Sequence, residues 1–220
     1  MSYKQKLITI LEKIEKAKAD STFNEDIKLI AVSKTVSSTQ IQTLFNDSQA
    51  DFGENRVQAL KEKYDELKHL KIKWHFVGRL QKNKINQLLS LRPTLIHSCD
   101  SLELAIEIDK RVTNFKPDVL LQINSAKEDT KAGIMPENAV EIYKNIKLSC
   151  KNINLCGVMS IGAHTEDINK IKNSFEATRE IFDKLKSDGA KYCSMGMSSD
   201  FELAIKCGSN MLRLGTILFN

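Results

Sequence analysis

Lys28-Leu-Ile-Ala-Val-Ser-Lys-Thr35 opens with an apolar run, Leu29 to Val32, that carries no turn residue and reads as a buried strand. Lys34 follows where that strand should end. Ser37-Ser-Thr-Gln40 then forms a capping-box pattern, with Ser37 and Gln40 satisfying two unpaired amides at a helix start. The unit is therefore strand, loop with a lysine, helix. On its own the lysine reads as a solvated surface residue, and the rest of the chain must say whether it is more.

Upstream, Leu7, Leu11, Ile14 and Ala17 or Lys18 recur at helical spacing and predict an amphipathic helix over 3–19. Downstream, helix 40–45 precedes a short strand, Asp51-Phe-Gly-Glu-Asn55, and a charged helix over 57–67. Lys73-Trp-His-Phe-Val-Gly78 is a third strand, with Trp74, Phe76 and Gly78 on one face and His75 and Val77 on the other. A helix over 83–91 stops before Pro93. Strand 94–97 leads to a cap-like Asp100-x-x-Glu103, and strand 118–124 to a helix opening at Pro136. Strand 155–161 precedes a long helix marked by Ile168, Ile171, Phe175, Phe182 and Leu185 and stopped by Gly189. Strand 192–196, a short helix over 201–207 and strand 211–215 complete the pattern.

Eight strands alternating with helices predict an α/β fold, a single closed (β/α)8 TIM barrel rather than a doubly wound sheet. The chain stops at Asn220, soon after the eighth strand, so no eighth helix is expected and the N-terminal helix fills that place on the outside. No linker or repeat divides residues 1–220, which read as one domain.

Composition excludes several classes. Hydrophobic residues make up 41% and charged ones 28%, a soluble globular balance with no span for a bilayer. The N-terminus leads into the amphipathic pattern without a signal-peptide core, and the five cysteines are scattered without a Cys-x-x-Cys pair. A reducing, cytoplasmic setting without a zinc site is expected. The net charge of +5 is spread over helices that alternate lysine with glutamate, so nucleic acid is not the expected partner. Small anions such as phosphates suit it better.

Polar and glycine residues gather where the strands end: Lys34, Asn55, His75, Asn124, Ser160, Ser198, Ser199, Arg213, Gly215 and Thr216. In a barrel these points share the carboxyl rim, where active sites are built. Ser198 and Ser199 precede a short helix, Ser199 and Glu202 fit a capping box, and Gly215-Thr216 adds an unshielded amide and a hydroxyl. Together they read as a phosphate cup, although capping alone accounts for Ser199 and Glu202. Across the mouth, a partly desolvated Lys34 would supply a free amine for Schiff-base formation. Sugar-phosphate aldolases and pyridoxal phosphate proteins both fit that outline.

The motifs resemble the YggS/PROSC-type pyridoxal phosphate homeostasis proteins, which are similar to the N-terminal barrel of alanine racemase. The resemblance runs along Ala31-Val-Ser-Lys-Thr35, Phe52-Gly-Glu-Asn55, Trp74-His-Phe-Val-Gly78, Leu80-Gln81 with Asn83-Lys84, and Leu121-Gln-Ile-Asn124. It continues through Lys131-x-Gly-Ile134, Gly157-Val-Met159, Ser194-Met-Gly-Met-Ser198 and Arg213-Leu-Gly-Thr216. Departures are Asn220, where relatives end Phe-Gly, and Gly162-Ala163-His164, where a proline-containing loop is more usual.

The resemblance implies pyridoxal 5'-phosphate held as an internal aldimine on Lys34. Ser198, Ser199, Gly215 and Thr216 would hold the phosphate and Arg213 would face the pyridine nitrogen. Asn55 would line the other side of the ring, with His75 and Asn124 near the pocket floor. No metal is implied. An arginine keeps its proton, so Arg213 would donate to an unprotonated ring nitrogen and weaken the electron sink. Racemases of this fold add a second base from a C-terminal domain, which is not expected here because the chain ends at Asn220; Cys193 and Tyr192 read as strand-core residues. The expectation is therefore a monomeric carrier and buffer of the cofactor without catalytic residues, in transient contact with pyridoxal phosphate-dependent enzymes. A racemase-like enzyme is the alternative, and a Schiff-base aldolase a second.

Overall fold

The computed structural model describes residues 2–23, 25–128 and 130–220. Eight parallel strands close into one barrel in sequence order: β1 Lys28–Val32, β2 Asp51–Glu54, β3 Lys73–Phe76, β4 Leu95–Cys99, β5 Asp118–Ile123, β6 Asn154–Ser160, β7 Tyr192–Ser194 and β8 Met211–Leu214. Closure is direct, with Ile30 opposite Arg213 and Ala31 opposite Leu214. The register slips between Ile96 and Cys99 on β4 and between Val119 and Leu121 on β5.

The helices around it are α1 Tyr3–Ala19, α2 Ser38–Asn46, α3 Val57–Leu67, α4 Ile85–Ser90, α5 Leu102–Arg111, α6 Ala139–Ser149, α7 Ile168–Leu185, α8 Phe201–Lys206 and a single turn, α9 Thr216–Phe219. The Ser37–Gln40 capping box forms as the sequence predicts. At α5 the cap is Ser101, whose hydroxyl accepts from Leu104 N at 3.1 Å, and not Asp100. One turn of 3-10 helix at Lys82–Lys84 shortens α4 to begin at Ile85.

Alternation along each strand separates two apolar layers. Trp74 and Phe76 face the helices, in the large core that also holds Phe52, Tyr143, Phe175 and Phe182. Ile30, Leu95, Leu120, Cys156, Met159 and Met211 fill the barrel interior. Helix α1 buries Leu7, Ile10, Ile14 and Ala17, while Leu11 is 45% exposed. The helical stripe therefore passes through Ile10 where the sequence reading placed Leu11. That stripe packs on α8, α9 and α2, and Tyr3 meets Phe219 edge-on at 5.9 Å. α1 thus occupies the outer place expected of it, beside a short α9 that the sequence reading did not anticipate.

All five cysteines are buried and free. Among the described residues no helix is long and apolar enough to cross a membrane, and no side-chain cluster suits a metal ion.

Candidate functional site

β1 ends at Val32, and the turn after it lifts Lys34 onto the carboxyl rim, where the residue is exposed rather than partly desolvated as the sequence predicts. Its backbone is nonetheless held from behind. Ser33 N donates to Gly53 O at 2.9 Å, and Ser33 Oγ donates to Glu54 Oε1 at 2.8 Å. Lys63 of α3 donates to both Ser33 O and Glu54 Oε1 at 2.6 Å. Glu54 is fully buried there, so the exposed amine of Lys34 is carried on a rigid base.

Asn55 leaves β2 on the same rim. The chain after β3 crosses it at Gly78, where a Cβ would fall 1.9 Å from Asn55 O. Only glycine permits that crossing. Gly196, at φ +91°, turns the chain out of β7 in a conformation costly for other residues. Ser198 follows, and its Oγ accepts from Gly215 N at 3.2 Å and Ile217 N at 3.4 Å.

The Ser199–Glu202 capping box is not made. Helix α8 starts at Phe201 after Asp200, and no side chain caps it. Asp200 instead closes the preceding turn, its Oδ1 accepting from Met197 N at 2.6 Å, which takes the helix start one residue past the expected cap. Burial holds the Asp200 carboxyl above the usual carboxylate range, against the nearby Met197 amide and Arg213 charge.

Arg213 projects inward from β8. One guanidinium nitrogen donates to Ser194 O at 2.9 Å and Ser194 Oγ at 2.6 Å, and the other to Ser160 O at 2.8 Å. Burial pushes its pKa down to about 10, so it stays charged at neutral pH.

These residues enclose a cavity of about 630 Å³ at the barrel mouth. Lys34, Asn55, Ser198, Ser199, Arg213, Gly215 and Thr216 line it, seven of the nine positions singled out from the sequence as cofactor contacts. His75 and Asn124 do not. His75 lies lower in the interior, between Asp51 and His97. Asn124 braces the loop after β5, donating to Glu128 O at 2.9 Å and Lys131 O at 3.2 Å. It lines a smaller cavity of about 190 Å³ that shares Val77, Met159 and Ile161 with the mouth.

The apolar walls of the mouth were missed in the sequence: Val32, Val77, Met159, Ile161, Met197 and Ile217. Strand parity was the available signal, because Val32 and Val77 continue the inward positions of β1 and β3. Tyr192 lines a separate cavity with Lys28 and Asp51 at the amino-terminal end of the strands. Cys193 is buried in the outer core, where burial pushes its thiol up. Neither reaches the mouth.

The donor set has a definite chemistry. Two backbone amides and the Ser198 hydroxyl converge at one end, where the oxygens of an anion could replace Ser198 Oγ as their acceptor. Thr216 adds a second hydroxyl, Arg213 a fixed cation below, and Lys34 a primary amine at the end of β1, which pairs directly with β8 and so lies beside these groups and not across the mouth from them. A phosphorylated aldehyde with a flat apolar body fits these groups, and the volume lies within the small-ligand range.

Residues 9–220 match the family described as alanine racemase, N-terminal domain. The chain is 50% identical to the pyridoxal phosphate homeostasis protein of Helicobacter pylori, covering 100% of this chain and 99% of that protein. Against the protein of the same name from Aquifex aeolicus it is 39% identical, covering 98% and 96%. The structure of PipY from Synechococcus elongatus with PLP bound superposes with a TM-score of 0.85 at 28% identity, over 100% of both chains.

Proposed function

The chain belongs to the alanine racemase N-terminal domain family, among the pyridoxal phosphate homeostasis proteins, and on that premise we propose that it binds pyridoxal 5'-phosphate at the barrel mouth and serves the homeostasis of that cofactor. The observation that carries this reading is the placing of Lys34, Ser198, Arg213, Gly215 and Thr216 around one cavity. When bound, the cofactor supplies a reactive aldehyde on an aromatic ring. Lys34 Nζ is its covalent attachment point. Ser198, Thr216 and the Gly215 amide hold the phosphate, with Ser199 beside them. Arg213, pinned by Ser194 and Ser160, donates to the ring nitrogen, and Asn55 with the apolar walls confines the ring. His75 and Asn124 act from behind these contacts.

The protein works as a carrier without efficient turnover, as a single barrel domain over residues 1–220. Two features support this. Among the described residues lining the mouth, Lys34 is the only side chain suited to act as a base, because Arg213 keeps its proton. An arginine at the ring nitrogen also opposes the protonation that electron withdrawal needs. An exposed Lys34 keeps the attached group within reach of solvent and of acceptor enzymes. Monomeric action in the cytoplasm accords with this role.

The test is the absorption spectrum of the purified chain with added pyridoxal phosphate, beside Lys34→Ala, followed by borohydride reduction and peptide mapping. A yellow protein reduced at Lys34, with a colourless variant, is the expected result. A colourless wild type that retains no cofactor overturns the reading and turns attention to phosphosugars. Racemisation of an added amino acid at an enzyme-like rate would overturn the carrier role alone.

A further inference from the structure

A chain of buried side chains runs down the barrel below the mouth and does not line the cavity there. His75 Nε2 lies 2.9 Å from Asp51 Oδ1, and His75 Nδ1 lies 3.0 Å from His97 Nε2. The imidazoles are 1% and 0% exposed. Asp51, with Lys28 Nζ at 3.4 Å, opens onto a cavity of about 490 Å³ at the opposite end of the barrel from Lys34. The charged and titratable groups facing His75 are Asp51, Lys28, Lys73 and His97, and those facing His97 are His75 and Arg213.

The contacts fix which nitrogens carry hydrogen. A carboxylate only accepts, so His75 Nε2 is protonated toward Asp51. Burial keeps both rings neutral, outweighing for His75 the pull of Asp51. His75 Nδ1 is then a bare lone pair and must accept from His97 Nε2–H. The remaining nitrogen, His97 Nδ1, is bare as well, and it has no hydrogen-bond partner among the described residues. Leaving such a buried acceptor unpaired is costly, because its hydration is lost and nothing replaces it. The positive charge of Arg213 acts on that ring and favours its neutral form. Its guanidinium makes three hydrogen bonds, to Ser194 and Ser160, out of the roughly five N–H groups such a side chain carries.

We propose that Asp51, His75 and His97 form a one-directional hydrogen-bond relay whose free end, His97 Nδ1, accepts from Arg213 through one bridging water, making His97 a positioning residue for that arginine. Each donor points toward Asp51, so the carboxylate at one end of the barrel orients the acceptor beneath the other. The bridge satisfies the orphan nitrogen and an unused arginine N–H together, as buried waters do. The consequence for the cofactor ring rests on the function proposed above, whereas the relay itself does not.

The test begins with the ligand-free full-length chain, labelled with 15N, and its histidine ring signals. The expected result is Nε2–H on both His75 and His97. In Asp51→Leu, Lys28 becomes the neighbour that donates to His75 Nε2, both rings shift to the Nδ1–H tautomer, and the protonated and unprotonated signals of His97 exchange. Asp51→Glu keeps an acceptor-only carboxylate and keeps the wild-type tautomers, which covers a leucine variant that fails to fold. A wild-type His97 carrying Nδ1–H, or an Asp51→Glu protein with reversed tautomers, overturns the relay. Binding of pyridoxal phosphate is then read by its absorption band in wild type and His97→Phe. A shifted pH midpoint of that band is expected, and an unchanged one overturns the positioning role. A protein that takes up no cofactor sinks the functional reading, while the ring signals still decide the relay.

Discussion

Lys63 Nζ lies 2.6 Å from Glu54 Oε1, joining α3 to β2 in an ion pair whose carboxylate is completely buried. The same ammonium donates to Ser33 O, one residue before Lys34. Glu54 Oε2 has no partner among the described residues, so the whole charge of the carboxylate depends on Lys63 and the Ser33 hydroxyl. The pair therefore serves the backbone that carries the Lys34 amine.

Removing one member of a buried pair leaves an uncompensated charge, at a cost of about 3–5 kcal/mol. Lys63→Met is expected to lose stability of that order, read from urea unfolding. Glu54→Gln with Lys63→Met should recover much of it, since both charges leave together. In the double variant the release of Ser33 O should still slow attachment of pyridoxal phosphate at Lys34. An unchanged attachment rate would separate this ion pair from the site.

Ser198 should matter for the phosphate and not for the aldehyde. A hydrogen bond to a charged group contributes about 1.5–3 kcal/mol, so Ser198→Ala should weaken pyridoxal phosphate binding roughly 10- to 100-fold. Unphosphorylated pyridoxal should bind wild type and variant alike. Equal losses for both ligands would remove Ser198 from the phosphate end.

Gly78→Ala places a methyl carbon where the Asn55 carbonyl already stands, 1.9 Å away. Backbone must move, and a loss of at least about 3 kcal/mol is expected from such overpacking. The fall in thermal midpoint should come with reduced cofactor uptake, because Asn55 is on the rim. A variant with wild-type midpoint and uptake would refute the crossing.

Acid should destabilise the fold well before the carboxylates titrate. His75 and His97 are held neutral below their ordinary value of 6.5, chiefly by burial. The unfolded chain therefore binds more protons below pH 6.5, and stability must fall as pH drops from there toward the folded values. The slope is up to about 1.4 kcal/mol per pH unit for each ring. Asp51 adds to the loss at lower pH: burial opposes its ionisation, but His75, Lys28 and Lys73 hold its pKa below 3.8. Unfolding free energies that stay flat from pH 7 to 5 would mean that these rings are charged or exposed.

Strand alternation was legible because a parallel strand buried on both faces leaves a short apolar run between turn residues. Leu29 to Val32 shows it, and so does the parity that sends His75 and Val77 inward and Trp74 outward. The rim set was legible for a related reason: in a barrel every strand end faces one rim, so Lys34, Arg213 and Gly215 could be grouped without knowing distances.

What the sequence by itself determined was the order of the eight strands and of the helices between them, the closed barrel and the rim on which the polar strand ends gather, since these follow from local periodicity and connection rules. Only the tertiary structure decided the rest. It put Ser198 Oγ under the amides of Gly215 and Ile217, left α8 without the Ser199 cap and turned Asp200 back to the Met197 amide, left Lys34 exposed on a base held by Lys63, and drew His75 away from the mouth toward Asp51 and His97. Each depends on contacts between strands or helices distant along the chain. Such contacts are selected by packing and by pairing of buried polar groups, and residue spacing does not encode them.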